Sequence, residues 1–406
     1  MRVISEYTLM SKDTALIDFS LETEDVVSDG LSKEQESVYI NNIYDNSEMI
    51  LPIPLFCELS DDSLKSWLAD RRVPPTRHNA DKLLVSIGAS ESLARFISAT
   101  LMLSLEDAYW VRPHGTTIKW QDVSLFSAPF DERISYTAFT GELKKVYASG
   151  RVVSPEFTTN GTLKKFWRRC DDGIIELVKG DAMFGGDMSR SQAVNEYFAA
   201  QLAEAMGAAH VPYDLDAIKK ADGTDDIVCV APLFTSEHVG FVPANEFFTE
   251  QGIDMSAGLG SPQVQRALAE AFDDDAYADM MIFDAIIGNR DRHLGNFGYL
   301  RDNDTGEYIK PAPLFDNGMS LLYGAAGNSQ SNVASYSRTA RGKYLRGLDD
   351  YARLFLRVRH ISMLQKLLRF SFTNHPTYKV SDEMIAAMTQ FVRNRVKRLM
   401  EAVTMS

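Results

Sequence analysis

The sequence predicts an α+β protein in which a small β-rich lobe is followed by a larger helical lobe, with a mixed β/α region ahead of both. Three observations carry that reading. Tight β-hairpin patterning begins at Arg151, helical periodicity dominates from about Asn245, and the residues before about 145 alternate between β-like and helical stretches. At 406 residues the chain exceeds a usual single domain, so two or three compact units are expected. The expected divisions are residues 1–145, a mixed region that regulates or packs on the rest, then the β-rich lobe at 146–240 and the helical lobe at 241–406.

Residues 1–55 carry short β-like runs, TALIDFSLE and SVYINNIY among them, separated by polar breaks. Residues 60–105 turn helical, because DDSLKSWLADR and SESLARFISATLML repeat apolar residues every three or four positions. The aromatic segment SLEDAYWVRPHGTTIKWQDVSLF reads as a connector, with Trp110 and Trp120 as packing residues. From Arg151, RVVSPEF, LKKFWRRC and IIELVKG read as three strands joined by turns at TTNGT and DDG, and Asp172-Gly173 is a strong hairpin signal. A helix follows, with Ser189 and Gln192 as a capping box, Val194, Phe198, Leu202 and Ala205 along one face, and Gly207 as its C-terminal cap. DIVCVAPLF reads as another buried strand. Beyond it SPQVQRALAEAF, DAYADMMIFDAII, the region from ARLFLRV to KLLRF, and SDEMIAAMTQFVRNRVKRLM read as helices. Asp273-Asp274-Asp275 reads as a helix cap, and the basic run Arg393 to Arg398 as a solvated helix face.

With 45% hydrophobic and 24% charged residues the chain can bury a core. A net charge of −14 argues against binding through a phosphate backbone, so direct nucleic-acid binding is not expected. Cys57, Cys170 and Cys229, widely spaced and odd in number, read as reduced thiols of a cytoplasmic protein. No apolar run approaches the roughly 18 residues of a membrane span, and MRVISEYTLMSKDTAL lacks the apolar core of a secretory signal.

The stretch IIGNRDRHLGNFGYL, Ile286 to Leu300, interrupts an apolar pattern with charged and carboxamide side chains. One reading is a helix C-terminus with salt-bridged arginines and a structural histidine. The other is chemical. A carboxylate such as Asp291 can accept a proton from a substrate hydroxyl, while Asn296 and, further on, Asp316 in PLFDNGMSL are hard oxygen donors of the kind Mg²⁺ takes. Lys179, ending IIELVKG, can reach triphosphate oxygens, Glu196 in the next helix can pair with it, and Thr158-Thr159-Asn160-Gly161-Thr162 offers amides and hydroxyls to phosphates. These are the parts of a phosphoryl transferase. Singly each has a plainer reading: a solvated strand end, a surface helix charge, an ordinary turn, and for FDNG a type I turn. Their order along the chain, across a β-rich part and then a helical one, favours the chemistry.

N-R-D-R-H-x-x-N followed by F-D-N-G resembles the HipA-like serine/threonine kinase family. TNGTLKKFW before ELVKG is similar to that family's nucleotide loop, and SQAVNEYFAAQLAEAMG to its glutamate-bearing helix. The resemblance covers roughly residues 150–330, with a looser match at SLEDAYWVRP and KWQDVSLF. It implies a two-lobed protein-kinase-like fold using ATP and Mg²⁺. On it, Asp291 is the catalytic base, His293 supports the catalytic loop, and Asn296 and Asp316 hold Mg²⁺. Lys179 binds the α- and β-phosphates, Glu196 positions it, and Thr159, Gly161 and Thr162 lie over the phosphates. Leu233 and Phe234 border the adenine, unless APLF is simply a core strand. Ser154, Thr158, Thr159 and Thr162 are candidate autophosphorylation sites. A protein substrate and an antitoxin-like regulator are the partners the family implies.

Three departures qualify the match. Asn317 follows Asp316 where eukaryotic-type kinases have Phe, the loop holds one glycine, and the first 130 or so residues do not resemble the N-terminal module of toxin-type members. Phosphoinositide 3-/4-kinases share D-R-H-x-x-N, so a lipid or small-molecule kinase stays open, as does a non-catalytic pseudokinase or regulatory partner.

Overall fold

The structure is a computed structural model that describes residues 2–28, 31–45, 50–89, 92–144, 152–181, 191–219, 223–325, 327, 329–345 and 347–405. The described residues form a mixed α/β structure with three antiparallel sheets. The contacts divide it into two compact units. The first comprises Met1–Leu177, Thr235–Val242 and Leu300–Lys310; the second comprises Val178–Phe234, Pro243–Tyr299 and Pro311–Ser406.

The first unit contains a four-stranded sheet in the order Leu31–Ile43, Thr14–Ser28, Arg2–Ser11, Tyr109–Pro113. Its strands are longer than the short runs expected, because Thr14–Ser28 pairs on both sides and its polar residues stay within the ladder. Alternate residues face one core, where Tyr7 stacks on Phe19 and Leu9 and Leu21 pack with Leu64, Leu83, Phe96 and Ile97 of the following helices. Trp110 is fully buried, as packing requires, and its indole N–H donates to the Lys12 carbonyl at 2.7 Å.

RVVSPEF does not form the strand expected of it. Pro155 has no N–H for a ladder, and the Ser154 hydroxyl accepts from Glu156 N, so Pro155–Phe157 winds into a 3₁₀ turn instead. Two strands remain, Lys165–Arg169 and Ile175–Lys179, joined at Asp172-Gly173 with Gly173 at φ 88°. A second departure concerns Gly298–Asp302 and Tyr308–Pro311. These short, half-polar strands lie in the stretch where helical patterns were expected to dominate, between the helices expected there, and they form a three-stranded sheet with Val239–Pro243.

The second unit takes up the chain at the end of Ile175–Lys179. The helix Gln192–Met206 follows, capped by Ser191, whose hydroxyl accepts from Val194 N, and closed by Gly207 at φ 74°. The cap is thus at Ser191, and Ser189 lies outside the described residues. Val194, Phe198 and Leu202 are buried as expected, whereas Ala205 is exposed. Asp214–Lys219 and Asp225–Pro232 pair antiparallel, Leu215 opposite Cys229. The rest is organised round Asp274–Ile287, a helix buried on almost every side, as one apolar all round must be. Asp273 caps it by accepting from Ala276 N.

The basic run near the C-terminus needs a correction at one position, since Lys397 is exposed and Arg393 and Arg398 partly so, but Arg395 turns inward. Arg395 is 1% exposed, lies on the inward stripe of Val392, Val396 and Leu399, and donates to the carbonyls of Ala285, Ser337 and Ala340. Among the described residues, no helix is long and apolar enough to cross a membrane.

Candidate active site

The strand Ile175–Lys179 ends on a lysine whose ammonium donates to Glu196 Oε1 at 2.9 Å and pairs with Asp316. Lys179 is 6% exposed and Glu196 not at all. Seventeen residues separate them, and the capped helix Gln192–Met206 brings Glu196 back to the strand's end. The second Glu196 oxygen accepts from Asn317 N at 2.7 Å. Burial works against the lysine's charge, but Asp316 and then Glu196 outweigh it and hold the ammonium well above its ordinary value.

Asp316 sits at φ 55°, the left-handed region that a non-glycine residue adopts at some cost, so FDNG is not a simple type I turn. Its neighbours hold it there. Tyr213 Oη accepts from Asp316 N at 3.3 Å, and Asn195 Nδ2 donates to the carbonyls of Gly318 and Ser320 at 3.0 and 3.1 Å. Gly318 must be glycine, since a Cβ would come within 2.9 Å of the Gln192 backbone oxygen. Phe315 packs on Phe234 with ring centroids 5.3 Å apart, and Leu233 and Phe234 directly follow the strand Asp225–Pro232.

The second loop begins where Gly288, at φ 66°, ends the buried helix. Asn289 Oδ1 accepts from Asp291 N at 3.0 Å, and Asn296 Nδ2 donates to the Asp291 carbonyl at 2.9 Å. The Asp291 carboxylate is half-buried, 3.6 Å from Lys343 Nζ. Between Asp291 and His293 the chain turns Arg292 inward. Its guanidinium donates to both Asp284 oxygens, to the carbonyls of Asn296 and Phe315 at 2.7 Å, and to Asn317 Oδ1 at 2.5 Å. Asp291, Asn296, Asp316, Lys179 and Glu196 are therefore assembled within the second unit. His293 is exposed, and its Nδ1 lies 3.1 Å from Gly295 N, bracing its own turn.

Asn296 spends its Nδ2 on the Asp291 carbonyl, which leaves Oδ1 as the atom it can offer a cation. With the Asp316 carboxylate this is a hard oxygen set that fits Mg²⁺. Among the described residues no three His, Cys, Asp or Glu gather as a metal cage. Mg²⁺ held by one or two side chains and substrate phosphates needs none.

Thr159, Gly161 and Thr162 belong to the first unit, in a loop anchored by a fully buried ion pair. Arg77 donates to Glu156 Oε2 at 2.8 Å, and to the carbonyls of Glu156, Thr159 and Lys165; Glu156 Oε1 accepts from Trp167 N at 2.7 Å. Gly161 is at φ 89°, and a Cβ there would run into the Lys165 ammonium, which donates to the Asn160 carbonyl. Ser154 and Thr158 are buried, and Thr158 Oγ1 donates to the Leu103 carbonyl at 2.7 Å. Thr159 Oγ1 donates to the Pro155 carbonyl and accepts from the Trp167 indole. Of the candidate acceptor hydroxyls in this loop, Thr162 is the exposed one.

Sequence reasoning missed Asp284, Arg292, Tyr213, Lys343, Arg77 and Glu156. For Arg292 a signal existed, an arginine inside a buried-looking stretch. For Arg77 and Glu156, 79 residues apart, none did.

No family model matches the chain. Over 45 residues it is 51% identical to the serine/threonine-protein kinase CtkA of Helicobacter pylori (strain J99), a match covering 11% of this chain and 13% of that protein's length. Among solved structures, it is similar to one from the Shewanella oneidensis MR-1 toxin–antitoxin complex of HipA, HipB and operator DNA. That match has a TM-score of 0.50 at 13% identity and covers 98% of this chain and 99% of that one. The crystal structure of H. pylori proinflammatory kinase CtkA aligns at a TM-score of 0.44 and 17% identity, over 61% of this chain and 94% of that one. The chain thus has a HipA-like fold over almost its whole length, in agreement with the family its motifs resemble, and the match takes in the first 130 or so residues, where the sequence carries no such resemblance.

Proposed function

We propose that this protein of HipA-like fold is an ATP-dependent serine/threonine protein kinase of two kinase-like lobes. The observation that carries the reading is the buried Lys179 ammonium between Glu196 and Asp316, in the same unit as Asp291 and Asn296. In this reading Lys179 orients the α- and β-phosphates and Glu196 fixes the lysine. Asn296 and Asp316 hold Mg²⁺, which when bound neutralises charge on the phosphates. Asp291 takes the proton of the acceptor Ser or Thr as the acceptor oxygen bonds to the γ-phosphorus. The bond from that phosphorus to the β–γ bridging oxygen breaks, and ADP leaves. Little covalent work falls to the protein, so positioning and fixed charge supply the rate. Thr159, Gly161 and Thr162 would cover the phosphates, and Leu233 and Phe234 the adenine. His293 is assigned to loop support.

The test is incubation with Mg-ATP and dephosphorylated casein, read by intact mass and by label. Wild type gains phosphate on itself or on casein, and Asp291→Ala gains none while keeping its melting temperature. A wild type that neither binds ATP nor labels either protein refutes the proposal. By the same likeness a HipB-like regulator is a candidate partner; co-purification from a cell carrying both genes tests it.

A further inference from the structure

A cavity of about 460 Å³ opens in the second unit beside the helices Pro262–Ala271 and Leu348–Phe355, with Ser261, Arg266, Tyr344, Asp350 and Arg353 in its wall. Two successive residues connect it to the candidate active site. Lys343 approaches the Asp291 carboxylate at 3.6 Å. Tyr344 lines the cavity, and its buried hydroxyl, which has no hydrogen-bond partner among the described residues, feels the charges of Arg292, Asp284 and Asp291. The cavity wall therefore starts next door to the residue that touches the proposed base. An extended peptide advances about 3.3–3.6 Å per residue, so side chains a few positions from a hydroxyl held at Asp291 fall within its reach.

The cavity's charge says what it would take. Arg266 is exposed and forms no ion pair among the described residues. Arg353 is exposed too, and meets Asp350 only at 3.9 Å, the outer limit of an ion pair. Two guanidinium groups against one carboxylate leave the wall cationic on a chain of net charge −14, whose overall field would otherwise repel acidic segments. Guanidinium groups match carboxylates in paired, planar geometry.

We propose that this cavity is the acceptor subsite for an acidic side chain flanking the phosphorylated Ser or Thr, with Arg266 and Arg353 setting the preference. The proposal rests on the kinase reading and adds a substrate class to it. The experiment compares three peptides with a central Ser flanked on both sides by Asp, by Ala or by Arg, each incubated with the full chain and Mg-ATP. The Asp peptide is labelled about fivefold faster than the Ala peptide, the scale of an exposed charge pair, and the Arg peptide slowest. Arg266→Glu/Arg353→Glu inverts the order, and Arg266→Lys/Arg353→Lys preserves it; both read a ratio of rates, which is insensitive to overall activity. Equal rates in wild type, or an unchanged order in the Glu variant, overturn the subsite while the kinase reading stands. No label on any peptide, on casein or on the chain itself overturns both.

Discussion

Arg292 and Asp284 form a two-bond ion pair, at 3.0 and 3.1 Å, with both side chains almost wholly buried. Burial opposes the arginine's charge, but Asp284 holds the guanidinium above its already high ordinary value. The same guanidinium reaches Asn296, Phe315 and Asn317, so one side chain ties the helix Asp274–Ile287 to both loops of the candidate site.

Arg292→Ala leaves a charged carboxylate buried without its partner. The expected loss is about 3–5 kcal/mol of stability, measured by urea unfolding. Arg292→Lys keeps the charge without the planar fork, so it loses less stability, yet phosphate transfer still falls because the two loops are no longer joined. Equal stability of Arg292→Ala and wild type would contradict this.

Lys179→Met strands Glu196 and Asp316 together. Phosphate transfer should drop about 10²–10³-fold, and stability should fall as well. Adding Glu196→Gln removes a buried charge, so the double variant recovers stability and no activity. Recovery of transfer in the double variant would remove Lys179 from the phosphate-binding role.

The loop hydroxyls differ in access. After incubation with Mg-ATP, peptide mapping by mass spectrometry should find loop phosphate on Thr162 and none on Ser154 or Thr158, whose hydroxyls are buried. Ser154→Ala removes the cap on the 3₁₀ turn and lowers stability by about 1 kcal/mol without removing that phosphate. Phosphate on Ser154 would mean that the turn opens before the reaction.

Glu106, in the first unit, supplies a pH test. Burial, reinforced by neighbouring Asp107, pushes its carboxyl from 4.5 up to about 7. A carboxyl raised on folding holds its proton in the folded chain where the unfolded chain has lost it. Its contribution is therefore complete below about 4.5 and is lost as pH rises through about 7. Wild type should lose stability relative to Glu106→Gln over that range, read from unfolding midpoints at fixed ionic strength. A constant difference between the two proteins would refute the shift.

Much of this site was legible because its parts are local or ordered along the chain. Lys179 ends an apolar strand, Glu196 lies in a helix whose closing Gly207 is visible, and Asp291 and Asn296 fall within one short interruption. What stayed hidden was the burial of charge. Arg395 read as solvated, and the burial of Arg77 and Arg292 went unread, because an arginine's environment is set by carbonyls and carboxylates brought from elsewhere: Glu156 for Arg77, Asp284 and Phe315 for Arg292, Ala285 and Ala340 for Arg395. The strand expected at RVVSPEF failed for a local reason that was on view, a serine before a proline.

Glu196 uses one oxygen on Lys179 and the other on the backbone of Asn317, beside Asp316. A single carboxylate therefore sets the lysine and the following loop together. The two have one adjustable coordinate between them, and a displacement of the helix Gln192–Met206 that misaligns either one misaligns both.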